Sequence, residues 1–256
     1  MSNTERVDKK LFEESHYLGK PADEDDRIIM RRINLLYKQK DFFNKELDCI
    51  EIGCGNGATI NQVASKFHQC TGIDMYDYET VFAKQKEKWN ATNSEFKLVN
   101  LEQVTLNQKF HRIISFEVIE HFRDENLVSK YFQLLEPGGL AAISVPNKWW
   151  IFETHGARLP LLPWNRVPFF SWLPRPLHER WANARIYNKS RIQKLLIKHG
   201  FEIVECCYIT APMDVLKEGR LKKFLARFIF KNDTTTLPFL ATAIFVLAKK
   251  PLNKPI

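Results

Sequence analysis

Residues 49–58 read Cys-Ile-Glu-Ile-Gly-Cys-Gly-Asn-Gly-Ala, and this stretch decides the fold. Its first residues predict a short buried strand, and glycines at alternate positions, Gly53, Gly55 and Gly57, lead into a helix. Glycine tolerates positive φ angles and lets a ligand approach the backbone where a Cβ would block it. The free N–H groups at a helix start favour a polar or anionic ligand. The stretch therefore predicts a ligand-binding loop between a strand and a helix.

An acidic residue that would complete such a site follows at Asp74. Residues 70–74 predict a second strand, and Asp74 ends it seventeen positions after Gly57. In doubly wound folds a carboxylate near this spacing binds ribose hydroxyls. A dinucleotide site would read Gly-x-Gly-x-x-Gly, whereas these glycines alternate after Glu51. The spacing therefore argues against a nucleotide-dependent dehydrogenase.

The remaining chain continues the alternation of strands and helices. Residues 135–139, Leu-Glu-Pro-Gly-Gly, predict a helix stop and a tight turn, and the apolar residues after them predict a buried parallel strand. The further predicted strands are residues 94–101, 112–121, 140–145, 201–209 and 237–248. This order predicts an α/β fold with a doubly wound, mostly parallel, seven-stranded sheet.

Together the glycine series, Asp74 and the turn before the fifth strand resemble the class I S-adenosylmethionine (SAM) methyltransferases, which have a Rossmann-like fold, over residues 48–147. The run Glu117-Val118-Ile119-Glu120-His121 is most similar to the ubiquinone-pathway O-methyltransferases, whose fourth strand carries a comparable Glu-x-x-Glu-His. The resemblance implies that SAM is the cofactor, with the glycine loop against its methionine and ribose and Asp74 on the ribose diol. The implied cofactor-binding residues are Glu51, Gly53, Cys54, Gly55, Gly57, Asp74, Met75, Asn100, Leu101, Phe116 and Glu117.

Three side chains are candidates for catalysis of methyl transfer to a hydroxyl group. His121 is the candidate general base, because a neutral imidazole is available near pH 7 and the residue follows the fourth strand at the ligand-binding edge. Glu117 and, from the substrate side, His178 complete the set.

A divalent ion is the alternative to a general base. Glu117, Glu120 and His121 could hold an ion that lowers the pKa of the acceptor hydroxyl. The resemblance to the ubiquinone O-methyltransferases and to small-RNA 2′-O-methyltransferases implies Mg²⁺ at such residues. A fourth ligand would have to be His155 or His178, and no sequence pattern brings either one near. We therefore prefer a site without a metal.

An N-terminal arm and helix, residues 1–46, precede the SAM-binding domain, residues 47–256. Asp26 is expected to cap the helix, which packs through apolar residues and continues to Phe43. The resemblance implies that this helix closes over SAM, with Arg31 or Arg32 near the cofactor carboxylate.

Two insertions interrupt the SAM-binding domain. The first, residues 148–187, is a cap whose aromatic residues and prolines either fill a local core or form a wall around an apolar substrate. The second, residues 212–231, combines basic residues with an apolar stripe at helical spacing, which predicts a basic amphipathic helix. Core packing is the ordinary purpose of such a stripe, and an anionic lipid surface is the alternative. The stripe consists of Leu221, Phe224, Leu225, Phe228 and Ile229.

Positive charge is concentrated in the substrate half of the chain. The whole chain carries a formal net charge of +8, and residues 148–231 contain 16 Lys and Arg against 6 Asp and Glu. Such a surface suits a membrane-dissolved lipid, an anionic small molecule or RNA. Nucleic acid is disfavoured, because no binding module or continuous basic groove is recognisable. The predicted partners are a small-molecule or lipid-like substrate and an anionic membrane surface, with no prediction of oligomeric state.

Cysteine usage and the N-terminus predict a cytoplasmic protein. The five cysteines contain no Cys-x-x-Cys pair, and the first residues contain no apolar signal segment. The longest apolar run, residues 237–248, is too short to cross a bilayer. Membrane association would therefore be peripheral.

The predicted function is SAM-dependent methyl transfer to a small or lipid-like acceptor, at oxygen. Two alternatives stay open: a catalytically silent, methyltransferase-like binding subunit and an RNA 2′-O-methyltransferase. The intact glycine loop with Asp74 argues against the silent subunit.

Overall fold

The computed structural model describes residues 26–157, 159, 167–213 and 219–252. The predicted N-terminal arm, residues 1–25, and parts of both insertions, residues 158, 160–166 and 214–218, lie outside the described residues. The strands are β1 Cys49–Ile52, β2 Cys70–Asp74, β3 Ser94–Leu98, β4 Phe110–Phe116, β5 Leu135–Pro146, β6 Glu202–Thr210, β7 Thr234–Thr235 and β8 Ala241–Lys249. The helices are α1 Arg27–Lys38, α2 Ala58–Val63, α3 Glu79–Lys88, α4 Val128–Leu134, α5 Arg175–Trp181, α6 Lys189–Lys198 and α7 Arg220–Phe228.

All of these strands belong to one mostly parallel sheet, which confirms the predicted doubly wound α/β fold. The strand order is β3-β2-β1-β4-β5-β8-β6-β7. The first five strands pair in parallel, whereas β8 runs antiparallel between β5 and β6. The described residues form eight strands rather than seven, because the two-residue β7 pairs with the end of β6 at the sheet edge.

Helices pack on both faces of the sheet, because successive residues of a central strand point to opposite sides. Ile113 of β4 lies in one core with Tyr131 of α4 and Leu196 of α6. Ile114, the next residue, lies in a second core with Leu36 of α1 and Ile60 of α2. All six side chains are fully buried. The carboxyl ends of β1 to β4 form the edge at which doubly wound folds bind ligands.

The first helix is shorter than predicted. It ends at Lys38 rather than Phe43, because the chain turns at Gln39. The turn places Phe42 in the second core, where its side chain is fully buried. Burial of this ring outweighs continuation of the helix. Asp26 occupies the predicted N-cap position, without a side-chain capping hydrogen bond.

Several strand boundaries also differ from the prediction. The third strand ends at Leu98 rather than at residue 101, and the fourth covers Phe110–Phe116 rather than residues 112–121. The fifth strand begins at Leu135, because Leu135 pairs with Phe110 of β4. The predicted tight turn is an irregularity inside the strand, with Gly138 at a φ of 80°. The last strand begins at Ala241, later than predicted, because residues 238–240 form a 3₁₀ turn.

The cap leaves the sheet after β5 and returns beside its own starting point. Asn147 and Tyr187 form a parallel bridge at its base, and Phe152 and Pro168 form an antiparallel bridge within it. The cap therefore stands at the carboxyl edge of the sheet. None of the described helices combines the length and apolar character needed to cross a membrane.

Candidate active site

The glycine loop holds backbone conformations that side chains disfavour. Gly53, Gly55 and Gly57 have φ angles of 70°, 51° and 77°. A Cβ on Gly53 would lie 2.4 Å from Cγ2 of Val118, and a Cβ on Gly57 would lie 2.4 Å from Cδ2 of Phe82. The loop packs closely against the turn after β4 and against α3, and a larger residue would displace it.

Two carboxylates fix the glycine loop in place. Oδ2 of Asp74 accepts a hydrogen bond from the N–H of Gly55 at 2.9 Å, which joins the end of β2 to the loop. Oε2 of Glu51 accepts from the N–H of Ile60 at 2.9 Å and fastens β1 to α2. Burial raises the pKa of both carboxyl groups, and that of Glu51 rises to about 8. Glu51 is a buried support of the loop, and its contact with a cofactor stays a prediction.

The other predicted cofactor-binding residues border the same edge of the sheet. Met75 follows β2 with 44% of its surface exposed, Asn100 and Leu101 follow β3, and Phe116 ends β4. Because these strands are parallel, the residues that follow them meet at one edge next to the glycine loop. Cys54, Leu101 and Phe116 have buried side chains, whereas that of Met75 is exposed.

Glu117 occupies a strained backbone position at the end of β4. Its φ is 59°, which side-chain-bearing residues disfavour, and its N–H donates to the carbonyl of Ser144 at 3.0 Å. Its Oε1 accepts a hydrogen bond from Oγ of Ser144 at 3.0 Å and lies 3.0 Å from Nη2 of Arg32. The guanidinium of Arg32 also lies over the ring of Phe116, 5.6 Å from its centroid. Residues from α1 and β5 therefore orient this carboxylate.

His155 of the cap joins Glu120 and His121 in one cluster. One carboxylate oxygen of Glu120 and one ring nitrogen from each histidine lie within 4.8 Å of one another. Nε2 of His155 lies 3.5 Å from Oε1 of Glu120 and 3.9 Å from Oε2 of Glu117. The two imidazole rings meet edge to face, with 4.9 Å between their centroids. The structure thus places beside the strand end a residue that the sequence could not place.

Burial sets the protonation of this cluster. Glu120 is 1% exposed, and neither of its carboxylate oxygens has a hydrogen-bond partner among the described residues. Burial and the neighbouring carboxylate of Glu117 raise its pKa well above the ordinary value. Burial also lowers the pKa of His121, and the nearby His155 and Arg185 lower it further. His121 is therefore neutral near pH 7, which is the form that accepts a proton.

The same cluster is a candidate metal centre, but its donor atoms fit Mg²⁺ poorly. Mg²⁺ prefers oxygen ligands, whereas two imidazoles and one carboxylate suit an ion such as Zn²⁺ or Fe²⁺. Glu117, which the sequence indicated as a candidate metal ligand, contacts Arg32 and Ser144 instead. The structure therefore replaces Glu117 with His155 in this group.

His178 is not one of the described residues that cluster with His121, which are Glu120 and His155. Its Nε2 lies 2.8 Å from Oε2 of Glu153, and both side chains are fully buried. Glu153 also accepts hydrogen bonds from Oγ of Ser171 at 2.9 Å and from the N–H of His155 at 3.2 Å. Burial alone would raise the pKa of Glu153, but the hydrogen bond and charge of His178 lower it below the ordinary value. His178 supports the loop that carries His155, and these contacts do not favour its predicted direct role.

Arg31 does not reach the site. Its buried guanidinium donates to the backbone carbonyls of Thr210, Ala211 and Phe230, which ties α1 to β6 and to the chain after α7. Of the two arginines that the sequence proposed, Arg32 is the one at the end of β4.

Three residues of the site were not found from the sequence: Ser144, Glu153 and Arg185. The backbone N–H of Arg185 donates to the carbonyl of Glu120 at 3.2 Å, and its guanidinium donates to two further carbonyls of the same turn. Each contact joins segments that are distant in sequence, and no spacing rule predicts such contacts. Ser144 could have been found from its position in the sequence, because it lies near the carboxyl end of the fifth predicted strand.

Comparison with known proteins assigns the chain to a family. A family model described as a methyltransferase domain matches residues 8–206. The chain belongs to the class I SAM-dependent methyltransferases.

Two relatives and one solved structure illustrate the similarity. A probable S-adenosylmethionine-dependent methyltransferase of Mycolicibacterium smegmatis is 28% identical over 175 residues, which cover 68% of this chain and 59% of that protein. A ubiquinone biosynthesis O-methyltransferase of Bradyrhizobium sp. is 25% identical over 171 residues, which cover 63% of each protein. The chain thus spans about 60% of the length of these curated relatives. The Burkholderia thailandensis 1,6-didemethyltoxoflavin-N1-methyltransferase, solved with S-adenosylhomocysteine, shares the fold with a TM-score of 0.57 at 13% identity, covering 89% of this chain and 80% of that one.

Proposed function

We propose that this protein transfers a methyl group from SAM to an oxygen of a small, lipid-like acceptor. The observation that carries the proposal is the position of two sites on one edge of the sheet. The glycine loop with Asp74 lies at the ends of β1 and β2, and Glu120, His121 and His155 cluster just after β4. The first site fits a nucleoside, and the second offers a neutral imidazole to an acceptor hydroxyl.

The glycine loop fits SAM because its glycines hold a tight backbone path that side chains would disrupt. Gly53 and Gly57 have positive φ angles and pack directly against Val118 and Phe82, and Asp74 stands beside the loop with a carboxylate suited to a ribose diol. SAM, when bound, supplies a methyl group on a sulfonium, so the departing sulfur needs no proton. The protein's part is to align the acceptor, exclude water and remove the acceptor's proton.

His121 is the residue proposed to remove that proton. Its ring is kept neutral by burial and stands beside the imidazole of His155. The carboxylate of Glu117, 3.9 Å from Nε2 of His155, lies where it stabilises positive charge developing on the paired imidazoles. Glu153 and His178 act as positioning residues, because they hold the backbone of His155.

A divalent ion is the alternative way to activate the acceptor. Glu120, His121 and His155 would hold it, and the ion would lower the pKa of the acceptor hydroxyl. His121 could not then serve as the base, so metal content and the effect of a chelator on turnover separate the two mechanisms.

A lipid-like acceptor is supported by the aromatic surface of the cap. Trp149, Phe169 and Trp172 are between 39% and 53% exposed, and Trp172 meets the other two rings edge to face. The cap also carries His155 to the end of β4, so the same segment supplies both the aromatic surface and a residue of the proposed acceptor site. We also propose a cytoplasmic location, supported by five cysteines that are all free thiols.

Labelled methyl transfer tests the proposed function. The protein is incubated with isotopically labelled SAM and separate lipid, small-molecule and RNA extracts, and mass spectrometry locates the label. We expect a labelled methyl ether or ester in the lipid or small-molecule fraction, and none with Gly55→Arg. Label in the RNA fraction alone would establish the RNA methyltransferase instead, and a labelled nitrogen or carbon would overturn the assignment to oxygen.

A further inference from the structure

Helix α7 exposes aromatic side chains that a core-packing helix would bury. Phe224 and Phe228 are 54% and 65% exposed, and their ring centroids lie 4.9 Å apart. Ile229, next along the chain, is 46% exposed. Phe230 instead packs against Trp150, and Leu225 packs against the small core that contains both rings. The apolar stripe predicted for this helix therefore divides into an inward edge and an outward edge.

Basic residues surround the outward aromatic pair. Arg220, Lys223, Arg227 and Lys231 are all exposed, within one or two turns of Phe224 and Phe228. Residues 219–231 contain neither Asp nor Glu. An aromatic pair bordered by exposed basic residues is complementary to a surface with apolar depth and negative head groups.

A small buried core joins the aromatic part of the cap to α7. Trp150 packs against Phe230, with 6.5 Å between ring centroids. Nε1 of Trp172 donates to the carbonyls of Trp149 and Trp150 at 3.2 Å, so the exposed tryptophans of the cap are fastened to the same core. Tryptophan favours membrane interfaces, where its apolar ring and polar N–H meet different environments.

Contacts of α1 also connect the chain after α7 with the candidate active site. Asn34 of α1 hydrogen-bonds to Asp233 just beyond α7, and Arg31 donates to the carbonyl of Phe230. The adjacent Arg32 contacts Glu117 at the end of β4. Helix α1 therefore connects the chain after α7 to the edge where the acceptor is proposed to bind.

We propose that α7 and the neighbouring aromatic edge of the cap dock onto an anionic phospholipid bilayer. The aromatic residues enter the interfacial region, and the surrounding Lys and Arg contact the head groups. Docking brings the acceptor site next to the membrane in which a lipid-like acceptor is dissolved. The docking surface extends the proposed methyl transfer. Vesicle binding and SAM binding are separate measurements, so the failure of one proposal can be told from the failure of the other.

Vesicle flotation tests the docking surface. Full-length protein is mixed with phosphatidylcholine vesicles or with vesicles that also contain phosphatidylglycerol. We expect binding to the anionic vesicles and a loss of at least about tenfold in Lys223→Glu/Arg227→Glu, since each basic residue near an anionic surface is worth about fivefold. Phe224→Ser/Phe228→Ser should lose binding as well. A blue shift of tryptophan fluorescence on vesicle addition checks the unsubstituted protein.

The matched control reverses two exposed lysines on other helices, Lys84→Glu/Lys194→Glu, and changes the net charge equally. It should bind the anionic vesicles as the unsubstituted protein does, and every variant should keep its SAM titration. Equal binding to neutral and anionic vesicles, or equal loss in the control, would overturn the proposal. Absence of flotation and of the fluorescence shift would overturn it as well.

Discussion

At the scale of single residues, the proposed chemistry depends on an imidazole that burial keeps neutral. His121 has a lowered pKa, and its Nδ1 has no hydrogen-bond partner among the described residues. A buried polar atom without a hydrogen-bond partner destabilises the folded state unless a ligand or water binds it. The hydroxyl of the proposed acceptor would give this nitrogen the partner that it lacks.

Replacement of His121 tests this assignment. His121→Ala should lower kcat by about 10²–10⁴ while leaving SAM affinity unchanged, because a general base acts in the chemical step. Steady-state kinetics and calorimetry measure the two quantities. His68→Ala, which removes an exposed histidine bound to Asp48, is the control and should keep full activity. A normal kcat in His121→Ala would remove the assigned role.

We expect the buried carboxyl group of Glu51 to make the stability of the protein depend on pH. Burial raises its pKa to about 8 in the folded chain, against an ordinary value of 4.5. The folded state therefore keeps a proton that the unfolded chain releases, and the stability this proton contributes is full below pH 4.5 and lost as the pH rises to about 8.

Glu51→Gln removes this titration and can still accept the hydrogen bond from Ile60. The melting temperature of Glu51→Gln relative to the unsubstituted protein should therefore rise between pH 5 and pH 8, by at least about 2 °C. Differential scanning fluorimetry at both pH values measures it. A difference that stays constant, or that falls with pH, would contradict the burial of an uncompensated carboxyl group.

At the scale of elements, α1 is held by a buried arginine rather than by its own capping. Arg31 donates to three backbone carbonyls of other elements, whereas Asp26 makes no side-chain capping hydrogen bond. Arg32, on the next position of the same helix, is thereby held at the end of β4. The helix is a bridge between the insertion after β6 and the candidate active site.

Arg31→Met should destabilise the protein by about 3 kcal/mol, because it leaves buried carbonyls without a donor. Chemical denaturation measures the free energy of unfolding. Arg27→Met is the matched control, since Arg27 is only partly buried and reaches the carbonyl of Pro212 at 3.4 Å; its cost should stay below about 1 kcal/mol. Equal effects of the two substitutions would show that Arg31 does not tie the elements together.

Element positions were largely predictable, and element ends were not. Local pattern identifies the strands around the glycine loop, because each is a short apolar run that ends in a polar or glycine residue. The end of α1 and the start of β5 depend on tertiary contacts, the burial of Phe42 and the pairing of Leu135 with Phe110. No local signal reports such contacts.

Part of the candidate site was predictable from the sequence, and part was not. The glycine loop, Asp74 and His121 follow strands, and the edge of a parallel sheet brings strand ends together. His155 arrives from an irregular cap, and its position depends on Glu153, which is buried with His178. A lone histidine in a loop carries no spacing signal, so its place next to His121 could be learned only from the structure.

At the scale of the whole molecule, the cofactor edge and the substrate side differ in chemistry. The glycine loop and its carboxylates are small, polar and closely packed, whereas the cap and α7 expose aromatic rings among basic residues. The substrate side accounts for the positive charge of the chain. This division fits an enzyme that takes a polar cofactor from solution and an apolar acceptor from a membrane.

Calorimetric titration with SAM shows whether the loop after β1 and Asp74 form a SAM pocket. We expect saturable heat at one site per chain, lost in Gly55→Arg although that variant stays folded by circular dichroism. If the folded, unsubstituted protein gives no binding heat at millimolar SAM, the loop and Asp74 do not form a SAM pocket.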